Sequence, residues 1–224
     1  MKVLLINGSP HEKGCTYTAL SLIAGELKAQ GIETEILHVG GQPVGGCIGP
    51  VPASRCSWEI IKDTKEFKGG CRSGNGCVFG GVVNEAIEKA KTADAFVFGS
   101  PVHYASAAGN MASFMDRLAY AGGKYLAYKP AAVCCSARRA GTTSTLDQLV
   151  KYPQFFHMPL VNGSYWAMVH GSNPEQVLQD AEGCAVMQEL GRNMAWLLRC
   201  IEAGKAAGID HPQNPPRPMT NFIR

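Results

Sequence analysis

Short apolar runs alternate with helical hydrophobic patterns along most of the chain, and this alternation restricts its fold to few architectures. Five strands are predicted from apolar runs at residues 2–6, 33–38, 95–99, 131–136 and 160–162. Helices are predicted from the spacing of apolar side chains at residues 17–30, 82–91, 107–121, 142–152 and 174–207. Strands that alternate with helices form a parallel sheet covered on both faces, so we expect an α/β fold.

The composition is that of one large domain. The chain has 224 residues, 46% of them hydrophobic, which is enough to bury a sizeable core. Its net charge is +3, and the only short basic cluster is Arg138-Arg139, so we expect no nucleic-acid partner. No apolar run is long enough to cross a membrane, and the N-terminus begins a strand instead of a secretion signal. We therefore expect a cytoplasmic protein without a membrane partner.

The loops after the first, third and fourth strands are the expected place for chemistry. In parallel sheets, ligands bind beyond the carboxyl ends of the strands, at the point where the strand order reverses. The corresponding loops are residues 8–18, 100–106 and 136–143.

The first loop, in the string NGSPHEKGCTYT, has the composition of a phosphate-binding turn. Ser9, Thr16 and Thr18 supply hydroxyls, and the helix that follows points its free N–H groups and positive dipole end at the loop. Cys15 stands where the P-loop of a nucleoside triphosphate site requires lysine. The GxGxxG string is absent, and the second strand ends at His38 instead of the acidic residue of a dinucleotide site. A mononucleotide phosphate remains possible, with a capping turn and no ligand as the alternative.

The other two loops favour a planar heterocycle near that phosphate. The string GSPVHYAS ends the third strand with a proline-fixed turn and two aromatic rings, and SARRAGTT ends the fourth with two arginines. Together they offer a stacking surface, backbone donors and positive charge, which suit a heterocycle that becomes anionic on reduction. Taken singly, His103 and Tyr104 are better explained as packed loop residues, and half of an exposed ion pair is the less favoured alternative for each arginine.

The strings NGSPHEKGCTYTAL, GSPVHYAS, SARRAGTT and LGRNMAWLL resemble the NADPH-dependent FMN reductase and iron–sulfur flavoprotein group of flavodoxin-like proteins. The similarity extends over residues 1–208 and is poor over residues 48–70. It implies a flavodoxin-like three-layer sandwich whose five-stranded parallel sheet has the order 2-1-3-4-5. It also implies bound FMN, NADPH or NADH as reductant, and a homodimer or homotetramer. Residues 1–208 are then one FMN-binding domain with an inserted segment at 40–81, and residues 209–224 are an irregular proline-rich arm.

The resemblance also assigns residues to the cofactor by their position in the matching strings. The residues that would hold the phosphate are Ser9, Lys13, Cys15, Thr16 and Thr18. Those that would frame the isoalloxazine ring are Pro101, Val102, His103 and Tyr104, and those lining its other side are Ser136, Arg138, Arg139, Gly141 and Thr142. The family implies no dedicated catalytic acid or base, because the flavin carries the chemistry. Arg138, Arg139 and His103 are the candidates for electrostatic assistance to it.

Nine cysteines are a high count for a chain without a secretion signal. Four of them lie in predicted strands or helices and are expected to be small buried hydrophobes: Cys134, Cys135, Cys184 and Cys200. The four in the loop-rich segment are Cys47, Cys56, Cys71 and Cys77. Family members with a [4Fe–4S] cluster carry a compact C-x₂-C-x₂-C run, and here Pro50 stands where the second cysteine would fall. We therefore expect no metal, with a cluster on these four thiols, a zinc site or a redox-active pair as less favoured alternatives.

The function predicted from these observations is an FMN-dependent NAD(P)H oxidoreductase that reduces a quinone, azo, nitro or flavin acceptor. The alternative is an iron–sulfur flavoprotein or flavodoxin-type electron carrier with no small-molecule substrate of its own, acting on a redox partner protein. Carrier flavodoxins are typically shorter and acidic, so the pI of about 8.4 and the long final helix favour the enzyme.

Overall fold

A computed structural model of the protein describes residues 1–49, 71 and 76–215. The strands are β1 (Lys2–Asn7), β2 (Glu33–His38), β3 (Ala95–His103), β4 (Ser106–Ala107), β5 (Ala131–Ala137) and β6 (Met168–His170). The helices are α1 (Cys15–Ala29), α2 (Val82–Thr92), α3 (Gly109–Gly122), α4 (Thr142–Phe155), α5 (Pro174–Val177) and α6 (Ala181–Ala206), with a short 3₁₀ turn at Gly123–Tyr125.

Five of the strands form one parallel sheet in the order β2-β1-β3-β5-β6. The short β4 pairs with the end of β3 in the antiparallel direction. Apart from this added hairpin strand, the predicted flavodoxin-like order is confirmed. The order reverses at β1, because β2 lies on one side of it and β3 on the other, and this places the loops after β1 and β3 side by side.

The fifth parallel strand is not the one that the sequence pattern predicted. Residues 160–162 were expected to form it, but Leu160 makes only an isolated bridge to Ala131. Met168–His170 pairs instead with the end of β5, beginning with Met168 opposite Cys135. The apolar run at residue 160 stops at Asn162-Gly163, which are turn residues, so it is too short to continue along β5.

The final helical region is also divided where a single helix was predicted. The side chain of Asn173 caps α5 by accepting from Gln176 N, and Asp180 caps α6 by accepting from Gly183 N at 3.0 Å. Each cap satisfies an N–H group that a helix leaves free at its start, so the two side chains define two helices. At the other end of the chain, α1 begins at Cys15, two residues before the predicted start.

The core lies in two layers, one on each face of the sheet. Alternate residues of β3 point to opposite faces: Phe96 and Phe98 pack with α2, α3 and α4, and Val97 packs with α1 and α6. Helices therefore cover both faces, as the strand–helix alternation predicted. No helix in the described part of the chain is both long and apolar enough to cross a bilayer.

The four cysteines in strands and helices differ in their surroundings. Cys134 and Cys135 are buried in β5, and burial raises the pKa of both thiols, that of Cys135 to about 12. Cys184 is half-buried and donates to Val177 O. Cys200 is exposed on α6, against the expectation of burial, because it lies on the face of the helix directed away from the sheet.

The described part of the C-terminal arm, residues 209–215, has no regular secondary structure. Its His211 ring stacks on Tyr128 with the ring centroids 4.5 Å apart. The division of the chain into a domain and an arm stays a prediction.

Candidate functional site

Three loops meet at the carboxyl edge of the sheet, because β1, β3 and β5 are adjacent strands that end there. A pocket of twelve residues opens between them. Its lining residues are Ser9, His11, Cys15, Thr16, Pro101, Val102, His103, Ser136, Ala137, Arg138, Gly171 and Ser172. The predicted convergence of the loops at one edge is therefore present in the fold.

The loop after β1 is held in place by its own polar side chains. Asn7 is buried; its Oδ1 accepts from Ser9 N at 3.1 Å, and its Nδ2 donates to Glu12 O at 2.9 Å. The hydroxyl oxygen of Ser9 accepts from His11 N at 3.1 Å. Each of these bonds fixes a backbone group of the loop, so the loop's own side chains define its shape.

The first turn of α1 is suited to an anion. Its N-cap is Gly14, no side chain caps its N–H groups, and the turn contains no acidic residue. A helix start of this kind leaves several N–H donors and the positive end of the helix dipole directed at the loop. The hydroxyls of Thr16, which is buried, and Ser136 share a hydrogen bond of 2.8 Å at the floor of the pocket.

Cys15 also belongs to this first turn, and its thiol donates to Gly171 O. Burial is the main cause that raises the pKa of the Cys15 thiol. The side chain therefore stays neutral at physiological pH and adds no negative charge beside the anion site.

The loop after β3 is a hairpin that carries aromatic rings past the sheet edge. His103 pairs with Ser106 across it, and the two residues of the turn, Tyr104 and Ala105, have φ of 50° and 58°. The Tyr104 side chain is fully exposed. Its flat ring is therefore open to a partner that stacks at the mouth of the pocket.

The loop after β5 places two exposed arginines near the pocket and ends at Gly141, the N-cap of α4. Gly141 has a φ of 97°, and a Cβ atom there would lie 2.6 Å from the Cα of Ala105. Glycine is needed at this position both for the left-handed backbone and for the close approach of the hairpin. The two loops are therefore in direct contact.

The structure brings most of the predicted cofactor residues into the pocket, but not all of them. Six lie outside its lining: Lys13, Thr18, Tyr104, Arg139, Gly141 and Thr142. Lys13 is exposed and lines a different groove beside α1, and the Thr18 hydroxyl donates to Gly14 O within its own helix. Gly141 contacts the hairpin, and Thr142 is buried at the start of α4.

Four lining residues were missed by the sequence analysis: His11, Ala137, Gly171 and Ser172. Gly171 and Ser172 follow β6, the strand that the sequence pattern placed elsewhere. The glycine–serine pair directly after β6 was the available signal, because such pairs mark turns and loops.

A second cavity lies beside α3 and is lined by three of the four loop cysteines, Cys47, Cys71 and Cys77. Arg117 is buried at its wall: Nε donates to Cys77 Sγ at 3.1 Å, and Nη2 donates to Gly80 O at 3.1 Å. The Arg117 guanidinium also lies over the Phe79 ring, 5.1 Å from its centroid. Burial raises the pKa of the Cys47 thiol.

The described cysteines alone do not make the ligand set of a metal centre. Within residues 1–49, 71 and 76–215, no group of three or more His, Cys, Asp or Glu side chains is placed to hold a metal ion. Cys56, the fourth candidate ligand, lies outside the described residues. The absence of a metal stays a prediction.

The model of the NADPH-dependent FMN reductase family matches residues 1–173. The chain belongs to this family. This FMN reductase family member is 25% identical over 210 residues to an iron–sulfur flavoprotein of Methanocaldococcus jannaschii. The alignment covers 90% of this chain and 100% of the relative. Family membership makes it a flavoprotein and an FMN-dependent oxidoreductase.

Solved structures share the fold of this family member at low sequence identity. RosB with a bound 8-demethyl-8-formylriboflavin-5′-phosphate superposes with a TM-score of 0.66 at 14% identity, over 100% of this chain and 94% of that one. The apo form of an NADH:FMN oxidoreductase, EmoB, superposes with a TM-score of 0.57 at 18% identity, over 89% of each chain.

The pocket fits the cofactor that the family name implies. An uncapped helix start with no acidic residue, next to the Ser9 and Thr16 hydroxyls, is the donor set that a phosphate monoester needs. The hairpin side of the pocket supplies the apolar and aromatic surface that a flavin ring needs.

Proposed function

We propose that this protein takes hydride from NADPH or NADH and passes the reducing equivalents to a quinone, azo, nitro or flavin acceptor. FMN, when bound, supplies the hydride acceptance and release. The observation that carries the proposal is the first turn of α1, whose N–H groups no side chain caps. Together with Ser9, this turn lines the same pocket as the β3–β4 hairpin.

The side chains around the pocket have separate tasks in this proposal. Ser9, Thr16 and the first-turn N–H groups bind the phosphate and orient the cofactor along the sheet edge. Pro101, Val102 and His103 form a wall against which a flat ring packs, and this wall excludes water from one face. Arg138 supplies positive charge at the rim, where it favours an electron-rich ring.

The Ser136 hydroxyl holds Thr16 in position and so couples the phosphate end of the pocket to the end of β5. None of these groups transfers a proton in the proposal, which agrees with a reaction whose chemistry the cofactor carries. Thr18, Gly141 and Thr142 then support the elements that hold the cofactor, whereas Lys13 and Arg139 are exposed beside them.

The test is stopped-flow absorbance of the FMN-loaded protein mixed anaerobically with NADPH or NADH. The proposal expects the visible flavin band to bleach faster than the enzyme turns over with a quinone acceptor. Bleaching that is slower than turnover with both nucleotides would refute the proposal. Comparing the two nucleotides at equal concentration also assigns the reductant.

A second candidate is an electron carrier that acts on a redox partner protein, and the cavity lined by three cysteines favours it. Iron and acid-labile sulfide analysis of anaerobically purified protein tests this candidate. Stoichiometric iron that is lost in Cys77→Ser would support the carrier, and protein with flavin but no iron would favour the enzyme. We also propose a homodimer or homotetramer, which sedimentation velocity at several concentrations tests.

A further inference from the structure

The β3–β4 hairpin needs support from outside itself. Only two residue pairs join its strands, Val102 with Ala107 and His103 with Ser106. Its two-residue turn has both central residues, Tyr104 and Ala105, in the left-handed region. Turns of this kind prefer Asn-Gly or Asp-Gly, because Gly, Asn and Asp adopt a positive φ with less strain than other residues do. The turn sequence therefore does not stabilise the conformation that the hairpin adopts.

Helix α4 supplies the missing support through one side chain above all. Gln148 Oε1 accepts from both Ser106 Oγ at 2.6 Å and Ala107 N at 2.9 Å. The Ser144 hydroxyl also donates to Ala105 O at 2.6 Å. One carbonyl oxygen on Gln148 thus holds the whole returning strand of the hairpin, 41 and 42 residues away in sequence.

This contact joins two of the three loops around the pocket. The hairpin carries Val102 and His103 into the pocket lining, and α4 begins directly after the loop that carries Arg138. A shift of Gln148 would move the hairpin relative to the arginine loop. The half-buried Gln148 does not line the pocket itself, so its effect on a ligand is exerted through the hairpin.

We propose that Gln148 is a positioning residue of the flavin site, which sets the distance between the aromatic hairpin and the ring of the bound cofactor. The inference rests on the proposed function only in taking the pocket as the flavin site. It predicts that loss of the Gln148 oxygen weakens contacts to the ring and leaves contacts to the phosphate unchanged. The two ends of the cofactor can therefore be separated experimentally.

The experiment compares three α4 variants of the full-length apoprotein. Gln148→Leu removes the acceptor at similar size, Gln148→Glu keeps an acceptor oxygen, and Gln154→Leu is a matched control at an exposed position of the same helix. Dissociation constants for FMN and for riboflavin are measured by flavin fluorescence quenching. Thermal unfolding of each apoprotein is recorded in parallel.

Gln148→Leu is expected to weaken the binding of FMN and of riboflavin by the same factor, roughly fivefold for the loss of both hydrogen bonds to the hairpin. Gln148→Glu should restore both affinities to within about twofold of wild type, and Gln154→Leu should leave them unchanged. Thr16→Val should give a different pattern: weaker binding of FMN and unchanged binding of riboflavin, which has no phosphate. Wild-type affinities in Gln148→Leu, with or without a lower Tm, would overturn the proposal, as would weakening of FMN alone.

If Gln148→Leu does not fold, Ser106→Ala removes one of the two donors and is expected to weaken both flavins by about twofold. Unchanged flavin affinities in Ser106→Ala would then contradict the positioning role of Gln148. If the wild-type protein binds FMN but neither nicotinamide nucleotide bleaches the flavin, only the proposed function is overturned. The flavin affinities of the variants would still test the role of Gln148.

Discussion

The hydroxyl oxygens of Thr16 and Ser136 lie 2.8 Å apart and share a hydrogen bond, although 120 residues separate them in the chain. Thr16 belongs to the first turn of α1, and Ser136 lies near the end of β5. The bond joins the phosphate end of the pocket to the strand that leads into the arginine loop.

Thr16→Glu should abolish retention of FMN. The new carboxylate would lie against the phosphate in a buried position, where like charges repel strongly. The flavin content of the purified variant, from its absorbance ratio, measures the effect. Thr16→Gln is the uncharged control of the same size and should retain more FMN than Thr16→Glu. Stoichiometric FMN in Thr16→Glu would contradict the phosphate assignment.

Arg138 and Arg139 should differ in their effect on the flavin midpoint potential, because only Arg138 lines the pocket. Arg138→Met removes an exposed positive charge worth about 0.2–1 kcal/mol. The potential should fall by roughly 5–20 mV for a two-electron couple. Arg139→Met is the matched control and should change it less. Equal shifts in the two variants, measured against a reference dye, would count against a specific role for Arg138.

Gly141→Ala should destabilise the protein, because the left-handed φ of 97° and the 2.6 Å approach to Ala105 both exclude a Cβ atom. The expected cost is about 1–3 kcal/mol in urea unfolding. Gly25→Ala is the contrasting control, since it lies inside α1 with nothing within 4 Å of the added atom. That change should stabilise by roughly 0.5–1 kcal/mol. A neutral Gly141→Ala would show that the loop can move away from the hairpin.

Arg117→Met should cost about 2–4 kcal/mol of unfolding free energy, because its buried guanidinium donates to Cys77 Sγ and to the carbonyls of Gly80 and Gly45, and these hydrogen bonds would be lost. Arg192→Met serves as comparison: Arg192 is half-exposed and pairs with Glu26 at 3.1 Å. Loss of that surface pair should cost less than about 1 kcal/mol. Chemical denaturation measures both, and similar losses for the two variants would argue against a structural role for Arg117.

Glu35 should contribute to stability only above acidic pH. Lys2 and Lys89 contact its carboxylate at 2.8 and 2.6 Å and lower its pKa, Lys2 being the larger cause. Because the pKa of Glu35 is lower in the folded state, its ionised carboxylate stabilises the fold fully at pH values above the pKa of the unfolded chain, near 4.3. This contribution is lost as the pH falls through the folded-state pKa. Glu35→Gln should therefore cost up to about 1 kcal/mol at pH 7 and progressively less as the pH falls below about 4.3. Urea unfolding at several pH values across this range measures the difference, and a pH-independent difference would contradict it.

Much of the fold could be predicted because it follows from local patterns. The apolar runs of β1, β2, β3 and β5 lie where the sequence placed them, and the alternation with helices predicted the parallel sheet. The strand β6 could not be predicted with the same success. Its three residues, Met168–His170, are too few for periodicity to distinguish a strand from other apolar segments.

The candidate site was predicted as a set of three loops, but its membership depended on side-chain direction. Thr16 and Thr18 are both hydroxyls in one string, yet Thr16 faces the pocket and Thr18 bonds to Gly14 O of its own helix. Successive helix positions point about 100° apart, so the start of α1 at Cys15 decides which hydroxyl reaches the pocket.

The sequence by itself determined four of the five parallel strands, the three loops at one edge of the sheet and, through four short strings, the resemblance to the family. The strands and loops depend on the spacing of apolar and turn residues among near neighbours. Only the tertiary structure decided that β6 completes the sheet, that Gly171 and Ser172 line the pocket, and that Gln148 holds the hairpin. Such contacts join distant segments, and they form only where sheet order and helix packing bring those segments together.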